Sequence, residues 1–210
     1  MLPSQSGLKG SQVTAVDAMR KAAQFRIPYA TSVVVLVCLV LVANPQPTPL
    51  AFDRHAIFAG EVWRLWTGHF VHFSFQQLIL DVSALFLVGA VVEREFGQRS
   101  IVLVVLLGMP AISLGLLLLA PELAHYRGAS GVVMLLAFVV GHTFWVRQPR
   151  LRVILAILGL GLLVKAALDA AGLVSDMSGL PDSVQVAWQA HVLGAGIGWA
   201  SARLKLKNLQ

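Results

Sequence analysis

The chain has 210 residues, of which 57% are hydrophobic and only 12% charged, with a mean hydropathy of +0.77. That balance excludes an ordinary soluble domain, in which about a quarter of residues carry charge. The net charge of +6 does not point to nucleic acid, because the basic residues punctuate the apolar runs instead of forming one patch.

In chain order, residues 1–26 read as a basic tail. Its segment "SQVTAVDAMRKAAQF" suits either an amphipathic helix on the membrane surface or a disordered tail. A first apolar span is expected over 27–43 and reads as a retained anchor, since no A-x-A cleavage site follows it. A loop rich in Pro and Trp fills 44–68. Further spans are expected over 72–92, 101–120, 130–146, 153–173 and 184–202. Asp176 and Asp182 lie in the loop before the last of these. The expected fold is an all-α membrane protein: a six-helix membrane domain over 27–203 with basic tails at 1–26 and 204–210.

Orientation follows from charge. One set of segments holds Lys9, Arg20, Lys21, Arg26, Arg94, Arg99, Arg147, Arg150, Arg152, Arg203, Lys205 and Lys207. The other holds only Arg54, Arg64 and Arg127. The positive-inside rule then puts both termini in the cytoplasm and the start of the fourth span at the outer face. Cys38 is the sole cysteine, which rules out an intrachain disulfide and a Cys-based metal site.

Polar and ionisable residues inside membranes are functional suspects. Here they are Gln77, Asp81, Ser130, His142, Lys165, Asp169 and His191. Ser130 opens the fourth span, and His191 falls about two turns into the sixth from the outer side, so the two can share a depth. A serine needs an adjacent base to become a nucleophile, and histidine is the commonest one. Ala190, Gly194, Gly198 and Ala202 recur every four residues, a stripe that lets two helix backbones approach closely. Gly128 and Gly131 give the same clearance around Ser130. Spacing alone is equally consistent with glycines that only pack and a serine that only caps a helix.

"GASG" at the start of a span, with "AHVLGAGIG" in the last one, resembles the rhomboid family of intramembrane serine proteases. "GEVWRLWTGHFVHFS" is similar to the first loop of that family and "LVGAVVEREFG" to the end of its second span. The resemblance runs from about Glu61 to Trp199. It implies a six-helix bundle and a Ser130–His191 dyad without a third acid, cleaving a membrane-anchored protein near the outer face of a bacterial inner membrane. It implies no cofactor. "YRGASG", with Tyr126 and Arg127, also resembles the rhombosortase branch, which is associated with trimming C-terminal sorting anchors from exported proteins.

The chain departs from the family pattern on its second span. After the matching His72, the His and Asn positions that help form the oxyanion hole are Gln77 and Asp81, four apart on one helix face. Gln77 can still donate through its amide. An ionised Asp81 would repel the oxyanion, so the alternatives are a protonated Asp81, an Asp81 paired with Arg127, or a carboxylate that merely holds loop backbone.

Other features have plainer readings. His69 and His72 are only two potential ligands, so no metal is expected. Trp63, Trp66 and Trp188 suit the interfacial belt. Arg64 is expected to hold the first loop, with Glu61 as partner. Lys165 and Asp169 suit an i, i+4 pair, and His142 an interfacial position. The expected partners are the bilayer and an anchored protein substrate. The competing readings are a non-catalytic rhomboid-like protein that binds membrane clients and a small transporter.

Overall fold

A computed structural model describes residues 27–42, 48–171 and 187–207. The basic tail at 1–26, Asp176, Asp182 and the first residues of the sixth expected span lie outside the described residues.

Helix α1 spans Tyr29–Val42. The first loop follows, with strand β1 (Phe52–Asp53) and two short helices, α2 (Arg54–Phe58) and α3 (Arg64–Thr67). Helix α4 is Phe75–Phe96, and α5 (Gln98–Leu103) runs through a π turn into α6 (Met109–Leu119). Strand β2 (His125–Tyr126) precedes α7 (Ser130–Arg147). Helices α8 (Arg152–Ala170) and α9 (Trp188–Lys207) complete the described chain.

Four helical stretches are long and apolar enough to cross a membrane: Phe75–Phe96, Gln98–Leu119, Ser130–Arg147 and Pro149–Ala170. The protein is therefore an integral membrane protein built from helices. Helix α1 has 14 residues, a rise of about 21 Å against the roughly 30 Å of a bilayer core. Helix α9 has 20 residues but carries Gln189, His191, Arg203 and several glycines, which make it less apolar than the other four.

Two boundaries move from their expected places, each for a local reason. The second span starts at Phe75, not His72, because Ser74 caps it: Ser74 Oγ accepts from Gln77 N at 3.0 Å, and Gln77 Oε1 accepts from Phe73 N at 2.8 Å. This is a variant of the S-x-x-Q capping box in which Gln77 reaches the N–H of Phe73, one residue before the cap. The third span starts at Gln98, directly after Gly97, whose φ of +81° ends α4.

The buried positions of α4 include Leu78, Asp81, Val82, Leu85, Gly89 and Val92, a spacing of three or four that defines one face. At Gly89 that face meets α1 so closely that a Cβ would stand 2.6 Å from Thr31 Cγ2. One turn later Glu93 accepts from Ala30 N at 3.1 Å, Thr31 N at 2.9 Å and Thr31 Oγ1 at 2.8 Å. The carboxylate thus satisfies the unpaired N–H groups at the start of α1.

The π turn over Val104–Gly108 has a related logic. Pro110 has no N–H to give the Leu106 carbonyl four residues earlier. Trp66 Nε1, from the first loop, donates to that carbonyl at 3.2 Å. The core is shared by Leu85 and Val92 of α4, Ile112 and Leu116 of α6, and Val132 and Leu136 of α7. The most extensive helix contact is α7 with α9. Helix α8 is the opposite case, with none of its residues buried.

Candidate active site

Three elements bring the site together. The first loop holds the segment ahead of Ser130, α4 supports it from beside, and α9 supplies the histidine.

The loop contacts begin with a short antiparallel ladder. Phe52 pairs with Tyr126, and Asp53 with His125. Gly128 N then donates to Gly68 O at 3.1 Å. Gly68 has no room for a side chain, since a Cβ would lie 2.8 Å from Phe52 N. Arg64 stiffens this loop from inside. Its Nε donates to Glu61 Oε2 at 2.7 Å, and its Nη1 donates to the Ala51 carbonyl at 2.7 Å. Trp63 lies at the surface of the loop, with Nε1 3.4 Å from the Pro49 carbonyl. Arg54 reaches across to the end of α6 and donates to the carbonyls of Leu116, Leu117, Ala120 and Leu123 at 2.7–3.3 Å.

Beneath the ladder sits His69, fully buried. Its Nε2 lies 3.0 Å from the Met109 carbonyl and 3.1 Å from Ser113 Oγ. Ser113 uses its own hydrogen on the Leu65 carbonyl at 2.8 Å. The Met109 carbonyl only accepts, so Nε2 carries the proton. Burial holds the His69 pKa down to about 4, so the ring is neutral. Tyr126 Oη lies 3.4 Å from His69 Nδ1 and donates to the Gly128 carbonyl at 2.6 Å.

From α4, two side chains grip the same segment. Gln77 Nε2 donates to the Arg127 carbonyl at 3.0 Å. Asp81 Oδ2 accepts from Ala129 N at 2.8 Å and lies 3.2 Å from His72 Nε2. Gly128 threads between them with φ of +125°, and a Cβ there would meet Gln77 Nε2 at 2.6 Å and Asp81 Oδ2 at 2.9 Å. Both the dihedral and the space demand glycine.

The structure corrects one alternative for Asp81. Arg127 is not its counter-ion: the guanidinium stacks on the Phe73 ring, 4.8 Å from its centroid, and forms no salt bridge among the described residues. The residues at Asp81 Oδ2 are instead a backbone amide and an imidazole. One Gln77 N–H is likewise engaged by loop backbone, leaving its second N–H as the remaining donor.

Ser130 is the first residue of α7 and is half-buried, and no side chain caps that helix start. His191 Nε2 lies 2.9 Å from Ser130 Oγ. The small residues explain the proximity. A Cβ on Gly131 would lie 3.1 Å from the Ala190 carbonyl. A Cβ on Gly194 would overlap the Gly131 carbonyl, and one on Gly198 would overlap the Leu135 carbonyl. Ala190 and Ala202 continue the stripe and are buried. No carboxylate hydrogen-bonds His191 among the described residues.

This arrangement, a helix-opening serine touching an imidazole on a neighbouring membrane helix, agrees with a sequence-level match. The rhomboid domain family model covers residues 59–208 of the chain. The chain belongs to the rhomboid family. Rhomboid domains are generally intramembrane serine proteases. No curated protein matches the chain closely enough to count as a relative.

The remaining polar residues of this rhomboid make no hydrogen bond to Ser130 among the described residues. Lys165 Nζ and Asp169 Oδ2 pair at 2.7 Å on α8. His142 lies edge-on to Trp199, with ring centroids 6.1 Å apart. No group of three or more potential ligands that could hold a metal occurs among the described residues. The sequence marks Arg54 only as an outer basic residue and Tyr126 only as part of YRGASG, and it gives no role to Ser113. Of these only Tyr126 had a signal, its place four residues before Ser130.

Proposed function

We propose that this rhomboid is an active serine endopeptidase that cuts a membrane-anchored protein near the outer face of a bacterial inner membrane. The observation that supports it is the 2.9 Å contact between Ser130 Oγ and His191 Nε2. That distance is hydrogen-bond reach for a base and the proton it abstracts.

Ser130 Oγ attacks the scissile carbonyl carbon while His191 Nε2 accepts the hydroxyl proton. The carbonyl electron pair moves onto oxygen. The Ser130 N–H, at the positive end of α7, and the second Gln77 N–H are the donors for that oxyanion. The C–N bond then breaks, and His191 gives its proton to the leaving amine. A water, deprotonated by His191, attacks the acyl-serine and releases the carboxylate, and the proton returns to Ser130. General base catalysis of this kind contributes about 10²–10⁴ in rate, and one oxyanion donor about 10²–10³.

In this reading the membrane domain covers residues 27–203 with six spans, both termini are cytoplasmic, and Ser130 faces the outer side, from which water arrives. A substrate segment needs small or helix-breaking residues, since a continuous helix hides its carbonyls in hydrogen bonds. Tyr126, Arg127 and the GASG motif favour a C-terminal sorting anchor as substrate, the activity of the rhombosortase branch.

The test is a fluorophosphonate probe applied to the full chain in membranes. The wild type should be labelled, and Ser130→Ala and His191→Asn should not. Absence of labelling in a folded wild type would favour a client-binding protein without catalysis. In cells, a Ser130→Ala strain should accumulate an uncleaved anchored protein, whose identity defines the substrate.

A further inference from the structure

Helix α8 leaves its inner face open. A groove of about 850 Å³ lies between α7, α8 and α9. Its cause is the missing side chains: Gly141 on α7, with Gly159 and Gly161 on α8, has nothing within 4 Å of where a Cβ would stand. Leu155, Leu158 and Leu162 make the wall apolar. A second cavity of about 300 Å³ shares Phe138, Leu162 and Trp199 with it and reaches His191. The two cavities share a wall along α8, and the second lies beside the candidate catalytic base.

The opposite end of the groove has different chemistry. Arg203 lies over the Trp199 ring, 4.4 Å from its centroid, and His142 meets the same ring edge-on. Arg152 lies 5.9 Å from the centroid of Trp145, another residue of that end. The salt bridges among the described residues use Glu61, Asp81, Asp53 and Asp169, none of them with these arginines. The site is thus a long apolar slot with cations and aromatic rings at one mouth and, among the described residues, no carboxylate in a salt bridge with either arginine.

We propose that the groove holds one anionic phospholipid, its phosphate on Arg203 and Arg152 and one acyl chain along the glycine-lined wall. Charge complementarity selects the head group, since basic pockets between membrane helices recruit acidic lipids. Volume argues against a polypeptide. A helix is at least about 10 Å across, so 850 Å³ would hold roughly two turns, far short of a span. An acyl chain needs only a narrow slot. The lipid would supply the packing that α8 lacks and place hydrocarbon beneath His191. This goes beyond the peptidase reading and stands whether or not Ser130 is catalytic.

The experiment uses the full chain in mild detergent, offered equal amounts of phosphatidylglycerol and phosphatidylcholine with identical acyl chains. Native mass spectrometry counts the lipid retained. One phosphatidylglycerol should be held in preference to phosphatidylcholine. Arg203→Gln should weaken that preference roughly fivefold, the effect of one basic residue beside an acidic lipid. Gly159→Leu, which fills the slot, should abolish retention while far-ultraviolet circular dichroism stays unchanged. Gly161→Val serves the same purpose should Gly159→Leu disturb the helix. Equal retention of the two lipids overturns the proposal. So does a preference that survives Gly159→Leu, which would mean a surface charge effect, or a dimer that Gly159→Leu dissociates, which would mean a second copy covers the groove.

Discussion

Gly194 of α9 presses its Cα against the Gly131 carbonyl of α7, one residue past Ser130 and three past His191. A Cβ at Gly194 would overlap that oxygen. The helix separation at the site is therefore set by an absent methyl group. Gly194→Ala forces α7 and α9 apart, and a misplacement of about 1 Å at a reacting pair can lower the rate 10²-fold. The expected result is a loss of that order in Ser130 labelling rate with the helices still formed. Gly196→Ala, on the same helix but facing open space, should label at the wild-type rate. Equal behaviour of the two variants would show that the close approach has no part in bringing Ser130 to His191.

Asp81 gives a second prediction, from the two contacts at its Oδ2. Asparagine keeps an acceptor for the Ala129 N–H and cannot place a negative charge near the oxyanion. Asp81→Asn should therefore match or exceed the wild-type rate, by up to about tenfold, which corresponds to about 1.4 kcal/mol. Asp81→Leu leaves a buried N–H without a partner, a cost of about 1–3 kcal/mol, and should lower both stability and labelling. Labelling rates and thermal unfolding of the two variants check this. Complete inactivity of a folded Asp81→Asn would mean that the carboxylate and His72 act together in the chemistry.

Much of the candidate site was legible in the sequence because its parts are periodic. The four-residue stripe Ala190, Gly194, Gly198, Ala202 marks a face, and Ser130 and His191 fall at matching depths once the charge bias sets direction. The chemistry around Asp81 was not legible, because it depends on backbone that turns through Gly128. The cap at Ser74 has a visible S-x-x-Q signature, yet Gln77 also fits an oxyanion role, and one side chain can serve both. The β1–β2 ladder is two residues long and shows no alternation. Arg54 reads as one more outer basic residue, since nothing local says that its partners are four carbonyls sixty residues away. The loose seat of α8 was hidden for the opposite reason: apart from the Lys165–Asp169 pair near its end it is apolar on every side, so no face distinguishes protein from lipid.

Arg54 carries a third prediction. Its guanidinium supplies donors to the carbonyls of Leu116, Leu117, Ala120 and Leu123, where α6 ends. A cation is also favoured there by the helix dipole. Arg54→Gln should destabilise the protein by on the order of 2–3 kcal/mol, the scale of hydrogen bonds to a charged group. Arg54→Lys should recover only part, because one ammonium cannot reach carbonyls that a planar fork spans. Thermal unfolding in detergent reads the order wild type, lysine, glutamine. Identical midpoints for all three would mean that water serves those carbonyls as well as the guanidinium does.

His69 links the fold to pH. Burial holds its pKa at about 4, below the 6.5 of the free side chain. Between these values the unfolded chain binds a proton that the folded chain refuses. Stability therefore rises with pH across that window and is flat above it with respect to this group. Lowering the pH from 6.5 toward 4 should lower the unfolding midpoint. Asp53, whose carboxyl is held below its ordinary 3.8 by the Ala56 N–H, acts only at more acid pH, where its protonation removes the cap on α2. The two effects are therefore separable. His69→Gln keeps a donor for the Met109 carbonyl and cannot titrate, so it should be less stable than wild type at pH 7 and show a shallower slope between pH 6.5 and 4. Parallel slopes for the two proteins would place the pH dependence on other groups and leave His69 a purely steric part of the loop.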